Sequence, residues 1–365
     1  MLQQVSFYCL RELIKNKTLE SIKEKIKDSS FGYIYFDEFM ETSLYSSKGY
    51  YNSGQIKSSR KGDFLTSPEV SEYFGKIIFN WISTNFSKPV LNILELGAGS
   101  GSLAKSINDS KKEKELNFYF IEKSDTAISS LKSLFPESII SKNIEDFSFT
   151  ESNNLIVIGN EILDNVSCAI ALIDNGCWKE KAIKMTKGSL DYCLVEPRKE
   201  VLDWLSRNYK NDHPNFEVEV QLNAELYIRD IIERLHPTGI LLFDYGYLQE
   251  EREFKPYASL VRTYKEHHIG PDPLLDPGEM DITYDINFSS LIEVIDDNCY
   301  EKKISTQYEF LHNNGLSQAI EKLADSRSSK EGLDLVKNNS DLLSIKTISD
   351  KRGLGSFYSI QATRK

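Results

Sequence analysis

Apolar residues fall at two spacings along this chain, and the two spacings alternate. Continuous runs at Asn92–Leu96, Asn117–Glu122, Asn154–Gly159 and Gly239–Tyr245 read as buried strands. Helical spacing marks Ser71–Thr84, Ser102–Ile107, Thr126–Leu134 and Ala224–Leu235 as amphipathic helices. Short strands separated by such helices predict a mostly parallel sheet with helices on both faces, and right-handed crossovers make a doubly wound α/β topology the economical one. Ser356 to Ala362 alternates like a final strand, and the charged, serine-rich stretch Asp325 to Asp350 reads as a surface helix pair.

Before the alternation begins, Leu2 to Ile26 carries apolar side chains at roughly helical steps, and Phe31 to Tyr51 is rich in aromatics. Together with the polar loop Gly54 to Lys61 these form an N-terminal helical elaboration, residues 1–88, ahead of a core at 89–365. Two stretches interrupt the core, at about 167–220 and 248–287. They follow the predicted strands Asn154–Gly159 and Gly239–Tyr245, numbered fourth and fifth in the expected fold, at the carboxyl ends where an α/β sheet builds its ligand crevice.

The net charge of −11 argues against a nucleic-acid backbone as the main partner, because such sites need basic surface. No apolar run approaches the ~18 residues of a membrane span, so no membrane association is expected. Five widely spread cysteines without a CxxC pair suit reduced thiols better than a disulfide framework or a zinc site. Met1–Lys27 has neither the apolar core of a secretory signal nor the arginine-rich, acid-poor pattern of a mitochondrial leader, which leads to an expected cytoplasmic location. The five histidines form no familiar metal spacing, so no metal is expected. Oligomeric state is not legible in the composition.

The densest chemical signal is Glu95-Leu96-Gly97-Ala98-Gly99-Ser100-Gly101, directly after an apolar strand. Alternate glycines let a backbone turn sharply and approach a ligand where a Cβ would clash. Glu122 follows at the end of the next strand, about 20 residues on, where an acid accepts both hydroxyls of a ribose. Packing alone also produces such turns, and Gly99 to Ala104 fits the relaxed dinucleotide pattern. Two details favour S-adenosylmethionine. Glu95 stands two residues before the first glycine, in reach of the amino group of a methionine moiety, and the turn comes only after roughly 90 residues.

Asn160-Glu161-Ile162-Leu163-Asp164 ends the predicted fourth strand, facing the reacting centre of this architecture. Glu161 and Asp164 are candidate catalytic carboxylates; at a spacing of three they are expected to share one face of a helical turn and to pair with a guanidinium. An N-cap at Asn160 and a first-turn acid at Glu161 would be the structural explanation of the same residues. Gly62 to Glu69 is a third cluster, a loop and helix start from which Asp63 and Thr66 offer hydrogen bonds to a cofactor. The run Asp276 to Asp281 reads either as a solvated loop or as substrate binding.

In series, these clusters resemble the MidA-type methyltransferases, a family that includes mitochondrial complex I assembly factors. The matching pieces are Leu44-Tyr45, Gly49-Tyr50-Tyr51, Gly62 to Glu69, Phe74-Gly75, Glu95 to Leu103, Asn160-Glu161 with Asp164, Asp244 to Tyr247, Asp272-Pro273-Leu274, Pro277-Gly278-Glu279 with Asp281, and Asn287-Phe288. The resemblance runs from about Phe36 to the C-terminus. It implies a Rossmann-like class I methyltransferase, with S-adenosylmethionine held by Asp63, Thr66, Glu95, Gly97, Gly99, Gly101, Glu122 and Asn160. It also implies methyl transfer to a protein arginine, with a respiratory-complex subunit among the candidate substrates. A small-molecule O- or N-methyltransferase and a weakly active assembly factor that binds a partner protein stand as alternatives.

Overall fold

The computed structural model describes residues 17–54, 57, 65–111, 113–150, 153–209, 214–255, 258–265, 268–327 and 329–365. Asp63 and the first part of the predicted N-terminal helix lie outside the described residues. The described residues fall into two compact units.

One unit comprises Ile56–Ile162, Arg229–Gly246 and Ile292–Lys365. In chain order it contains helix α1 (Glu72–Asn85), strand β1 (Val90–Leu96), α2 (Ser102–Ser110), β2 (Glu115–Ile121), α3 (Asp125–Leu134), β3 (Ile139–Ser141) and β4 (Leu155–Asn160). The crossover helix α4 (Leu222–Leu235) leads into β5 (Gly239–Asp244), and β6 (Tyr300–Thr306), α5 (Leu316–Arg327), α6 (Gly332–Ile348) and β7 (Tyr358–Arg364) complete it. The sheet reads β6-β7-β5-β4-β1-β2-β3. Strands β1 to β5 pair in parallel, while β7 runs antiparallel to both β5 and β6. The expected α/β architecture with a mostly parallel central sheet is the one observed.

Leu155 to Ile158 and all of β5 are buried because helices cover both faces of a parallel sheet, which is why these strands carry unbroken apolar runs. Phe74, Ile78 and Ile82 of α1 pack with Leu103 and Ile107 of α2 and with Ile93, Phe120, Ile158 and Phe243 of the strands. Strand β1 lies between β2 and β4, so successive connections leave it in opposite directions. That reversal opens a crevice beyond the carboxyl ends of β1 and β4. The crevice positions the site.

The described residues of Met1–Gln55, Leu163–Ile228 and Tyr247–Leu291 make the second unit. Its five-stranded antiparallel sheet orders Tyr33–Tyr35, Cys177–Thr186, Ala169–Asp174 and Val218–Val220, with Ser189–Val195 pairing on Cys177–Thr186. The hairpin corners Asn175-Gly176 and Lys187-Gly188 all have positive φ (49, 78, 51 and 90°), the signature of two-residue turns that match strand twist. Trp204 and Leu205 of helix Lys199–Tyr209 close the core of this sheet over Ala169, Ala171, Val218 and Val220. A second helix, over residues 17–28, turns Thr18, Ile22 and Ile26 inward at steps of four. The N-terminal segment thus gathers with both insertions, whereas a reading along the chain draws a single boundary at residue 88. Periodicity registers where the pattern changes; it does not register which distant strands pair.

Candidate cofactor and active site

The glycine turn leaves β1 in a conformation that residues with a side chain rarely adopt. Gly97, Gly99 and Gly101 all lie in the left-handed region, at φ 61, 52 and 80°. The Gly97 N–H donates to Ile121 O at 2.8 Å, and the Gly101 N–H donates to Ala98 O at 2.9 Å. A Cβ on Gly97 would stand 2.6 Å from Cδ1 of Ile162, and one on Gly101 would stand 2.9 Å from Cδ2 of Leu131. At these two glycines a side chain would also displace the tips of Ile162 and Leu131, so close packing adds to the demand of backbone shape. The turn delivers the chain into α2, with Gly101 as its N-cap.

Carboxylates surround this turn. Glu122 follows β2 and accepts from the Gly99 N–H at 2.9 Å through Oε2 and from the Ser124 N–H at 2.8 Å through Oε1. Burial raises its pKa, and those backbone donors pull against the rise. Glu95 is 4% exposed, and burial pushes its carboxyl up to about 8; the Ala104 N–H lowers it and the charge of Glu122 raises it further. Its Oε2 has no hydrogen-bond partner among the described residues. Glu69, which the motif reading left without a role, accepts hydrogen bonds from the hydroxyls of Ser100 and Ser102, the latter at 2.7 Å. Thr66 is the N-cap residue of the short helix Ser67–Val70 that carries Glu69, and its own side chain makes no cap bond. The sequence marked Glu69 only as the last residue of the Gly62 to Glu69 cluster and part of its Ser-Pro-Glu helix start.

At the end of β4, Asn160 donates through Nδ2 to Glu161 Oε1 at 3.1 Å, and its buried Oδ1 has no partner among the described residues. Glu161 has φ 52°, rare for a residue with a side chain, and its N–H is held on Phe243 O at 2.8 Å. The helical face expected to carry Glu161 and Asp164 together does not form: the left-handed Glu161 breaks the backbone before the 3-10 turn Leu163–Asn165 begins. Asp164 belongs to the second unit and is 4% exposed.

Within that unit a buried network surrounds Tyr51. Its hydroxyl bonds Asn165 Oδ1 at 2.8 Å and Asp281 Oδ1 at 3.2 Å, Asn165 Nδ2 donates to Asp281 at 2.9 Å, and the Tyr45 and Tyr51 rings stack at 5.5 Å. Burial, and then the charges of Asp281 and Asp164 among others, raise the Tyr51 phenol well above its usual range. Asp281 is a strand residue only 3% exposed, so at this residue the solvated-loop reading of 276–281 is corrected. The partners lie too far apart in sequence for spacing to have joined them.

The residues at the turn fit S-adenosylmethionine. Glu95 Oε2 and Asn160 Oδ1 are buried polar atoms without a partner among the described residues, which an amino group or a hydroxyl satisfies. Glu122 keeps unused lone pairs for ribose hydroxyls. The left-handed turn brings bare backbone to the same place. When bound, the cofactor supplies an electrophilic methyl group on a sulfonium, a cation that carboxylate-rich surroundings favour.

Comparison with known proteins agrees. The mitochondrial protein arginine methyltransferase NDUFAF7 homologue of Caenorhabditis elegans is 26% identical over 345 residues, covering 84% of this chain and 78% of that protein. The human mitochondrial protein arginine methyltransferase NDUFAF7 is 24% identical over 346 residues, covering 84% and 75%. A Burkholderia thailandensis crystal structure bound to S-adenosylhomocysteine has the same fold, with a TM-score of 0.81 and 20% identity over 97% of this chain and 93% of that one. The cytoplasmic location expected from Met1–Lys27 is overturned, since these curated relatives are mitochondrial proteins. Compartment is carried by address signals that thiol content does not encode. Residues 75–305 match the family described as "Putative S-adenosyl-L-methionine-dependent methyltransferase", and the chain belongs to that family.

Proposed function

We propose that the chain transfers the methyl group of S-adenosylmethionine to an arginine side chain of a protein, with a respiratory-complex subunit as the first candidate substrate. The observation that carries this reading is Glu161, a carboxylate residue forced to a left-handed backbone at the end of β4 and held there by Phe243 O. Strained conformations of this kind persist where the surroundings over-determine them, and they cluster at working sites. The names of the curated relatives support arginine as the acceptor.

A guanidinium is protonated at any physiological pH, so its nitrogen needs help to become a nucleophile. In this reading Glu161 pairs with the guanidinium, turns one nitrogen toward the methyl and takes charge as the bond forms. Asp164 is the second catalytic carboxylate of the proposal. Asn160 steadies Glu161 through its amide and lends its carbonyl to the cofactor. Asp63, Thr66, Glu95, Gly97, Gly99, Gly101 and Glu122 form the cofactor side of the proposal.

The test is methyl transfer from labelled S-adenosylmethionine to the proteins of a lysate, followed by hydrolysis and amino-acid analysis. Label in methylarginines is the expected result. Label confined to small molecules, or to another amino acid, overturns the arginine assignment and leaves the cofactor site intact.

A further inference from the structure

The amino end of a helix that follows a glycine turn is a ready site for a phosphate, because its N–H groups point outward and the helix dipole favours negative charge. In this protein α2 begins at Ser102, and its amino end is already supplied with negative charge by the chain itself. Glu69 accepts from Ser102 Oγ at 2.7 Å and from Ser100 Oγ, and the two hydroxyls lie 2.8 Å apart. Deeper in the first turn, the Ala104 N–H is drawn to Glu95.

The segment carrying Glu69 is fastened on both sides. Ser67 shares hydrogen bonds of 3.2 and 3.0 Å with Gln307, whose amide also donates to Ile348 O at 2.7 Å, and Ser71 Oγ meets Ser344 Oγ at 2.8 Å. The carboxylate is thus an anchored part of the turn rather than a surface acid swinging past it. Its charge lies where a dinucleotide would need to lay a pyrophosphate.

We propose that Glu69 is the specificity residue that makes this glycine turn reject phosphate-bearing nucleotides and accept the phosphate-free S-adenosyl cofactor. The physical reason is a like-charge contact. A phosphate brought to the first turn of α2 meets a held carboxylate in a partly buried setting, where screening is weak, whereas a cofactor without a phosphate escapes that repulsion. The residues of the turn itself, Gly99 to Ala104, satisfy the relaxed dinucleotide pattern, so the discrimination has to come from outside the motif. The inference rests on the assignment of the turn as the cofactor site.

The experiment is calorimetric titration of the full chain with S-adenosylhomocysteine and with ADP, for the wild type, Glu69→Gln and Glu72→Gln. Glu72 lies on α1 in an exposed ion pair with Lys76 at 2.5 Å and serves as the control for net charge. The ratio of ADP to S-adenosylhomocysteine affinity is expected to rise at least about tenfold in Glu69→Gln, equivalent to about 1.4 kcal/mol, and to stay at the wild-type value in Glu72→Gln. Glu69→Ser removes the charge with a smaller side chain and gives the same reading independently of how the amide packs. An unchanged ratio in both Glu69 variants overturns the proposal, as does an equal rise in Glu72→Gln. Absence of S-adenosylhomocysteine binding by the wild type would instead strike the cofactor assignment itself.

Discussion

Glu122 reaches back along the chain to accept the backbone N–H of Gly99 at 2.9 Å, so the acid after β2 holds the turn after β1 in shape. A single carboxylate bonds both the turn after β1 and the chain after β2, through its two oxygens.

Gly99→Val is therefore expected to abolish cofactor binding. The backbone at φ 52° is costly for any side chain, by about 1–2 kcal/mol, and more for a β-branched one. Relaxing to an ordinary conformation would swing the N–H away from Glu122. Calorimetry with S-adenosylhomocysteine checks this, and wild-type affinity in the variant would remove the turn from the site.

Glu95 ties cofactor binding to pH. An unfolded glutamate titrates near ~4.3, whereas burial holds this one at about 8. Between those values the folded chain keeps a proton that the unfolded chain has released, so Glu95 lowers stability progressively as pH rises from about 4 to 8. Glu95→Gln is expected to melt close to wild type at pH 5 and above it at pH 8, while binding S-adenosylmethionine more weakly. Wild-type protein should release protons on binding the cofactor at pH 7, seen as buffer-dependent heats. Equal melting differences at both pH values would show that Glu95 titrates as an ordinary surface acid.

Glu161→Gln and Asp164→Ala separate chemistry from binding. If both carboxylates act on the acceptor, turnover falls by about 100-fold or more, in the range of general-base contributions. The dissociation constant of S-adenosylhomocysteine should stay near the wild-type value. A parallel loss of affinity and turnover would move these residues to the cofactor side.

Arg198 joins two acidic residues in the second unit. Its guanidinium meets Glu180 at 2.9 and 2.6 Å and Asp37 at 2.8 Å, and it lies 4.0 Å over the Tyr35 ring. Glu180 is fully buried. Arg198→Met strands that carboxylate and is expected to cost about 3–5 kcal/mol in chemical denaturation. Arg198→Met with Glu180→Met should recover much of the loss, because the fully buried carboxylate is then gone and only the partly exposed Asp37 loses its partner. If the double variant is no more stable than the single one, the loss comes from packing.

What was legible in the chain is what local physics writes there. Leu155 to Ile158 read as a buried strand because a parallel strand buries both faces, and the turn from Gly97 to Gly101 read as a ligand turn because glycine adopts that backbone at the least cost. Glu122 followed from the regular length of a strand-helix-strand unit. Glu69 escaped notice because its partners at Ser100 and Ser102 lie about 30 residues away across an intervening helix and strand. The positive φ of Glu161 has no sequence mark at all, since glycine does not stand there.

By itself the sequence determined the alternation of strands and helices, the position of the glycine turn after β1 and the acid after β2 that the turn bonds, since each depends on neighbours within one supersecondary unit. Only the tertiary structure decided that the N-terminal segment and both insertions make one unit, that Tyr51, Asn165 and Asp281 share hydrogen bonds, and that Glu69 sits on the amino end of α2. Those choices rest on pairing between distant segments, where burial and charge select the partner and the spacing of residues along the chain carries no record of it.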